Sequence, residues 1–294
     1  MPGVEVRVPA TVANLGPGFD CLGVAVGIYL KVSFAEATET ELTGKGRIRE
    51  LKESFIHRSF SAAFTLAGKQ TPHVRIDVVD DYASAKGLGA SASAIVAGLA
   101  GAQAFGSLGL DDGELARLAS EIEGHPDNVL PALFGGLVLS LPSEGPPRWV
   151  RFEPTSGISP VIMIAGQMFK TETARRALPG EVSREDAVAN AASTAALLAI
   201  LTGNRPFDHL IAAVADRLHQ PHRLPLMPES LELFEKLTAR GIPTALSGAG
   251  PSLIALVETP GLEDAANTAN ELAPEGWTVL TPGWDLGGAR ASRV

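Results

Sequence analysis

Residues 80–99, DDYASAKGLGASASAIVAGL, carry a short glycine turn straight into small and apolar residues that read as a helix. Gly87 and Gly89 remove Cβ atoms where backbone amides have to approach a ligand, and Ser91 and Ser93 bring hydroxyls to a helix start whose unpaired N–H groups attract anions. Phosphate fits such a cradle. Lys86 adds a positive charge at the lip of the loop, in a chain whose net charge of -9 otherwise repels a polyphosphate. A plain glycine turn before a packed helix would look the same at this level. A Walker loop needs Gly-Lys-Ser/Thr, which neither Lys45 nor Lys69 provides. A dinucleotide fingerprint matches in letters at Gly87, Gly89 and Ala92, but a segment separates it from the preceding apolar run, and the later acid, Asp111, caps a helix.

Outward from this turn, the bulk composition points to a folded globular protein. The 294 residues are 45% hydrophobic and 19% charged, enough for two domains with substantial cores. The acidic balance and the lack of any Lys/Arg run beyond Arg175–Arg176 argue against nucleic acid or an anionic membrane as partner. No apolar stretch reaches membrane-spanning length, and no basic segment leads into an apolar run at the N-terminus, so the expectation is a cytoplasmic protein. Cys21 is the single cysteine, which excludes an intrachain disulfide.

Strand patterns occur at VEVRVPA near residue 4, VGIYLKVSFAEA near 26 and VRIDVVD near 74, with a helix over about 54–67. A helix over 91–105 should stop at Gly106, and a second should open at Asp111 with Glu114 as a capping box and close at Gly124. GGLVLSL reads as a strand, and PSEGPPR, residues 142–148, as a linker. Beyond it come a strand at ISPVIMIAG, helices over 184–202, 206–219 and 229–240, a strand-turn-strand at TALSGAGPSLIALVE, a helix over 261–273 and a strand at WTVLT. This irregular order favours an α+β architecture, with units at 1–155 and 156–294.

Two more polar islands stand out. In PATVANLGPGFDCLG, residues 9–23, Asn14 and Asp20 flank a Gly-Pro-Gly turn, and an amide with a carboxylate suits a ligand bearing an ammonium group. In SEIEGHPDNVLPALFGG, residues 120–136, Glu123, His125, Asp127 and Asn128 crowd a helix end and its following turn. A carboxylate at a helix C-terminus costs on the order of 0.3–1 kcal/mol unless a cation offsets it. Glu123 borders the apolar stripe of Leu115, Leu118, Ala119 and Ile122, whereas Glu121 shares a face with Glu114 and Arg117, so Glu123 is the inward-pointing candidate metal ligand. The histidines have no zinc spacing.

Together these islands resemble the GHMP kinase superfamily, and within it the homoserine kinases. PATVANLGPGFDCLG is similar to their first motif, KGLGASAS to the phosphate loop, EGHPDNVLPALFGG to the His-Pro-Asp-Asn turn, and SGAGPSLIAL to the third motif. TARRALP at 173–179 and HQPHRLPLMP at 219–228 are similar to two further stretches that bring Arg175 and Arg223. Ala90 replaces the first serine of the family's pair, Ser93 replaces an alanine, and Ala83 stands where the family often has a proline; Ser91 is retained.

The resemblance implies a two-domain GHMP kinase fold, with a ribosomal-protein-S5-like α/β domain first and a ferredoxin-like α+β domain second. It implies transfer of the ATP γ-phosphoryl group to the hydroxyl of L-homoserine, on the route to threonine, by a homodimer. The loop Lys86, Gly87, Leu88, Gly89, Ala90, Ser91, Ala92 and Ser93 would hold ATP, and Ser91 with Glu123 would carry Mg²⁺. Asn14 and Asp20 would take the substrate ammonium, Arg175 and Arg223 its carboxylate, and His125 with Asn128 would orient the hydroxyl. Asp127 is the one candidate base, and Gly248 belongs to a third wall. A non-catalytic superfamily member, another small-molecule kinase of the superfamily, and a nicotinamide-dependent oxidoreductase are the rival readings.

Overall fold

The structure is a computed structural model that describes residues 3–44, 54–80, 86–204 and 206–294. The Ala83 position lies outside the described residues.

The chain opens with a long antiparallel hairpin, β1 (Val4–Asn14) and β2 (Gly18–Glu36). Val4, Val6 and Val8 are buried while Glu5 and Arg7 are exposed, as expected of a strand with one covered face. From Pro9 onward every residue of β1 is buried, because the strand there passes between two cores. β3 (Glu41–Gly44) pairs in parallel with β4 (Val74–Asp80), which lies antiparallel to β2. Helix α1 (Phe55–Leu66), capped by the Ser54 hydroxyl, packs on α2 (Ala90–Gly106). α2 is apolar nearly all round because α1 and β1 enclose it. Then follow α3 (Asp112–Glu123), α4 (Pro126–Phe134), β5 (Leu137–Leu141) and β6 (Arg148–Phe152). β5 extends the sheet from β2, and β6 pairs with β5.

The second sheet is antiparallel in the order β10 (Thr278–Leu280), β7 (Ile158–Ile164), β9 (Leu253–Glu258), β8 (Thr244–Leu246). Alternation along β7 splits its side chains between two cores. Val161 and Met163 pack toward α9 (Pro228–Ala239) and α10 (Leu262–Leu272), while Ile162 and Ile164 join a core shared with Val12 and Val24 of the first sheet. α5 (Thr171–Arg176), α6 (Arg184–Leu201), α7 (Leu210–Ala213) and α8 (Gln220–Arg223) fill the connection from β7 to α9. The shared core binds the two sheets together, so loops from both meet over the N-terminus of α2.

The α+β expectation holds, and the capping box at Asp111 and Glu114 forms as read. Several elements differ. PSEGPPR is the turn of the β5–β6 hairpin and not a linker. α2 runs through Gly106, and Ser107 takes the left-handed cap at φ 44°. The helix expected over 206–219 is broken into a 3-10 turn at Phe207–His209, then α7, then α8. The His-Pro-Asp-Asn turn continues into a helix, α4, with Pro126 at its first turn, where a missing N–H costs nothing. The final strand β11 (Arg290–Arg293) returns to pair with β1, so segment 156–294 is not confined to the second sheet. α2 is followed by helices and the antiparallel β5, without the parallel crossover that a dinucleotide fold needs, which removes the oxidoreductase reading.

Candidate active site

The N-terminus of α2 opens into a cavity of about 560 Å³ whose walls come from both sheets. Gly89 is the N-cap, at φ 66°, and a Cβ there would overlap Thr11 Oγ1. Only glycine meets both demands. The turn is tied back on two sides, since Thr11 N–H donates to Leu88 O (3.2 Å) and Ser247 Oγ donates to Gly87 O (2.6 Å). Ser93 N–H reaches Gly89 O at 2.8 Å, which leaves the amides of Ala90, Ser91 and Ala92 as the helix-start donors without an intrahelical carbonyl, and no side chain caps them. They are an anion site by geometry and dipole.

Not every loop side chain faces this space. Gly87, Gly89, Ala90 and Ser91 line it; Lys86, Leu88, Ala92 and Ser93 do not. Leu88 is a core residue beneath the loop. Ser93 is fully buried with its hydroxyl donated to Pro9 O (3.1 Å), so the expectation that its side chain meets a ligand is corrected: it anchors α2 to β1.

Ser91 Oγ donates to Glu123 Oε1 at 2.6 Å, joining the start of α2 to the end of α3. Burial pushes the Glu123 carboxyl above its ordinary range, opposed by the Ser91 hydrogen bond and the His125 charge. A buried carboxylate facing a hydroxyl, with its nearest cationic partner 3.9 Å away at His125 Nε2, suits a hard oxygen-seeking cation. Among the described residues no group of three or more His, Cys, Asp or Glu side chains could by itself hold a metal ion.

At the start of α4, His125 Nδ1 sits 2.6 Å from Asp127 Oδ1, which also accepts from Asn128 Nδ2 at 3.4 Å. Burial alone would lower the His125 imidazole, but the Asp127 hydrogen bond and the charges of Asp127 and Glu123 outweigh it and raise the group. Asn128 Oδ1 accepts from Thr11 Oγ1 at 2.9 Å. Thr11 was not singled out by the sequence, whose signal there is only a hydroxyl in a strand.

The Gly-Pro-Gly hairpin turn bears Asn14 at φ 71° and Asp20 at φ 54°, left-handed conformations that carry strain and are common at functional sites. Asn14 is largely committed to the protein: Nδ2 donates to Gly248 O (2.8 Å) and Oδ1 accepts from Asp20 N–H (3.0 Å). Arg175, at the end of α5, makes a bidentate pair with Asp20, both bonds at 3.1 Å. Arg223, on α8, is buried at 2% exposure yet lines the cavity. Its guanidinium is held by Ala174 O (3.4 Å), Gly248 O (3.3 Å) and His219 Nδ1 (3.3 Å), and lies 5.1 Å from the Phe19 ring centroid. His219 donates from Nε2 to Gly16 O at 2.8 Å and stacks on Phe19; burial lowers its pKa and keeps it neutral, so Nδ1 accepts from Arg223. Phe19 and His219 are further residues that the sequence did not reveal. Cys21 lies nearby, its thiol pushed up by burial and by Asp127 and Asp20.

The structure therefore brings Gly87, Gly89, Ala90, Ser91, Glu123, His125, Asp127, Asn128, Asn14, Asp20, Arg175, Arg223 and Gly248 onto one cavity. Residues 54–136 match the family description "GHMP kinases N terminal domain", and residues 195–275 match "GHMP kinases C terminal". The chain is 43% identical to homoserine kinase of Streptomyces avermitilis over 97% of its length and 94% of the relative's, and 40% identical to homoserine kinase of Thermus thermophilus over 86% of each. Its fold matches the crystal structure of homoserine kinase from Cytophaga hutchinsonii with a TM-score of 0.84 at 24% identity, covering 99% and 97% of the two chains. No helix among the described residues is long and apolar enough to cross a membrane. With a bipartite match to these kinase domains and such identity over nearly its whole length, the chain belongs to the homoserine kinase family of GHMP kinases.

Proposed function

We propose that the protein transfers the γ-phosphoryl group of ATP to the side-chain hydroxyl of L-homoserine, giving O-phospho-L-homoserine and ADP. The observation that carries this reading is the union, in one cavity, of a helix-start anion cradle with a carboxylate and two guanidinium groups spaced around a small pocket. A polyphosphate belongs at the first, and a zwitterion at the second.

In this reading the amides of Ala90, Ser91 and Ala92 hold the phosphates, and Ser91 with Glu123 would hold Mg²⁺. When bound, the ion neutralises phosphate charge as it moves toward the leaving oxygen. Asp20, fixed by Asn14, takes the substrate ammonium, and Arg175 and Arg223 take its carboxylate. Asn128, flanked by Asp127 and His125, orients the hydroxyl toward the terminal phosphoryl group. The hydroxyl oxygen forms its bond to phosphorus as the bridging bond to ADP breaks, and the hydroxyl proton is lost to solvent or to the phosphoryl oxygens. Such a transition state is loose and rewards positioning and charge more than a strong base, so Asp127 acts mainly by holding His125 and Asn128.

Turnover measured as phosphorylated product with homoserine, mevalonate, galactose and serine tests the assignment. Selective product with homoserine supports it; equal rates, or none with homoserine, remove the acceptor and leave the fold. Homodimeric assembly and a cytoplasmic location belong to the same reading, and sedimentation velocity tests the first.

A further inference from the structure

We infer that Thr11 is a positioning residue for phosphoryl transfer: its hydroxyl sets the Asn128 amide, and its main chain ties that amide to the phosphate loop. This rests on the proposed role of Asn128 toward the acceptor hydroxyl.

The argument begins with Asn128, whose amide has two orientations differing by a half-turn. On one side lies Asp127 Oδ1 at 3.4 Å, an atom that only accepts when ionised, so the NH₂ group must face it. The carbonyl oxygen then faces Thr11 Oγ1 at 2.9 Å, and the threonine hydroxyl has to donate. Both ends of the amide are thereby specified, and the remaining N–H of Nδ2 is the one available to an oxygen in the cavity that Asn128 lines.

Thr11 is fully buried and does not line the cavity, so it acts through Asn128 and not on a ligand. Its second attachment gives the strut its meaning. Thr11 N–H donates to Leu88 O at 3.2 Å, and its Oγ1 lies so close beneath Gly89 that a Cβ there would overlap it. The same added Cβ would come within 3.0 Å of Asn128 Oδ1. One residue thus fixes the spacing between the donor cradle and the acceptor-side amide, the distance on which a positioning-limited transfer depends. A hydroxyl at this place in β1 needs no other explanation: a fully buried strand position would otherwise take valine, as Val12 does.

The test combines Thr11→Val, Thr11→Ala and Thr11→Ser with Asn128→Ala, measuring kcat and both KM values beside thermal melting. T11A removes the hydroxyl without adding bulk, should the valine methyl crowd Gly89. The expected result is a fall in kcat of about 10–100-fold for T11V or T11A, with KM for homoserine and ATP within about threefold, and recovery to within about threefold in T11S. In the N128A background T11A should add less than about twofold, because the strut no longer has an amide to set. Unchanged kcat in T11A while N128A is impaired overturns this inference alone. Full multiplication of the two losses does the same, since Thr11 would then act independently. Wild-type kcat in N128A overturns the role of Asn128 and this inference with it.

Discussion

Replacing Arg223 with methionine should separate recognition of the substrate carboxylate from recognition of ATP. The guanidinium is buried at 2% exposure, touches the cavity, and has two backbone carbonyls and a neutral imidazole as its protein partners, none of them an anion. Burial lowers its pKa, yet an arginine remains cationic at neutral pH. A carboxylate reaching it gains a charge-assisted hydrogen bond worth about 1.5–3 kcal/mol. At 1.4 kcal/mol per decade, R223M should lower kcat/KM for homoserine about 10–150-fold. Methionine fills a similar volume, but His219 Nδ1 loses its donor, a cost of about 1–3 kcal/mol that should appear as a melting temperature lower by several degrees. The assay is initial rate against homoserine at saturating ATP, then against ATP at saturating homoserine. KM for ATP should stay within about twofold. 3-Aminopropan-1-ol, which is homoserine without its carboxylate, provides the internal control: wild type and R223M should use it equally well. If R223M loses as much with this amino alcohol as with homoserine, or if KM for ATP rises in step, Arg223 does not bind the carboxylate and the reasoning fails.

Glu123→Gln keeps the Ser91 contact and removes the charge, so Mg²⁺-dependent turnover should fall at least 100-fold while the metal-free protein melts no lower than wild type; a lower melt would show that the carboxylate stabilises the fold. Because burial raises the folded-state pKa of Glu123 above 4.5, metal-free wild type should lose stability as pH rises from 4.5 through that raised value, and E123Q should flatten this slope. His125 is raised above 6.5 by Asp127 and Glu123, so its contribution is complete below pH 6.5 and disappears as pH climbs through the folded value; melting curves of wild type and His125→Asn across pH 6–9 should converge at the alkaline end.

The parts of the fold that could be read from the sequence are those whose signals are local. The Asp111 capping box, the glycine at Gly124 and the short apolar runs of β7 and β9 are decided within a few residues. What escaped depends on distant partners. α4 carries Pro131 in its interior, which looks like a breaker; the structure accommodates it where Gly23, lacking a side chain, packs against the Asp127 carbonyl that no longer has an N–H to accept. The break between α7 and α8 comes from Asp216, whose carboxylate accepts the N–H groups of Leu218, His219 and Gln220 and so starts a new helix under Arg223. β11, Arg-Ala-Ser-Arg, is exposed along its length, has no apolar run of its own and becomes a strand where β1 offers an edge. The site divides in the same way: glycines and carboxylates announced themselves by spacing, whereas Thr11, Phe19 and His219 matter through contacts that no sequence interval records.

The Asp20–Arg175 pair bears on how such a site selects its substrate. Its two members are the groups proposed for the ammonium and for part of the carboxylate, and in the structure they satisfy each other. At 37% and 41% side-chain exposure the pair is worth about 1 kcal/mol or less, so a zwitterion can part it at little cost and replace one exchanged contact with two. A ligand with one charge cannot. 4-Hydroxybutanoate, which lacks the ammonium, would pull Arg175 away and leave Asp20 beside a bound carboxylate with no cation of its own. It should therefore bind more weakly than the loss of one hydrogen bond explains, and Asp20→Asn should narrow its deficit relative to homoserine. Arg223, buried and hydrogen-bonded to no carboxylate, is the fixed half of the clamp; Arg175 is the half that must first be released.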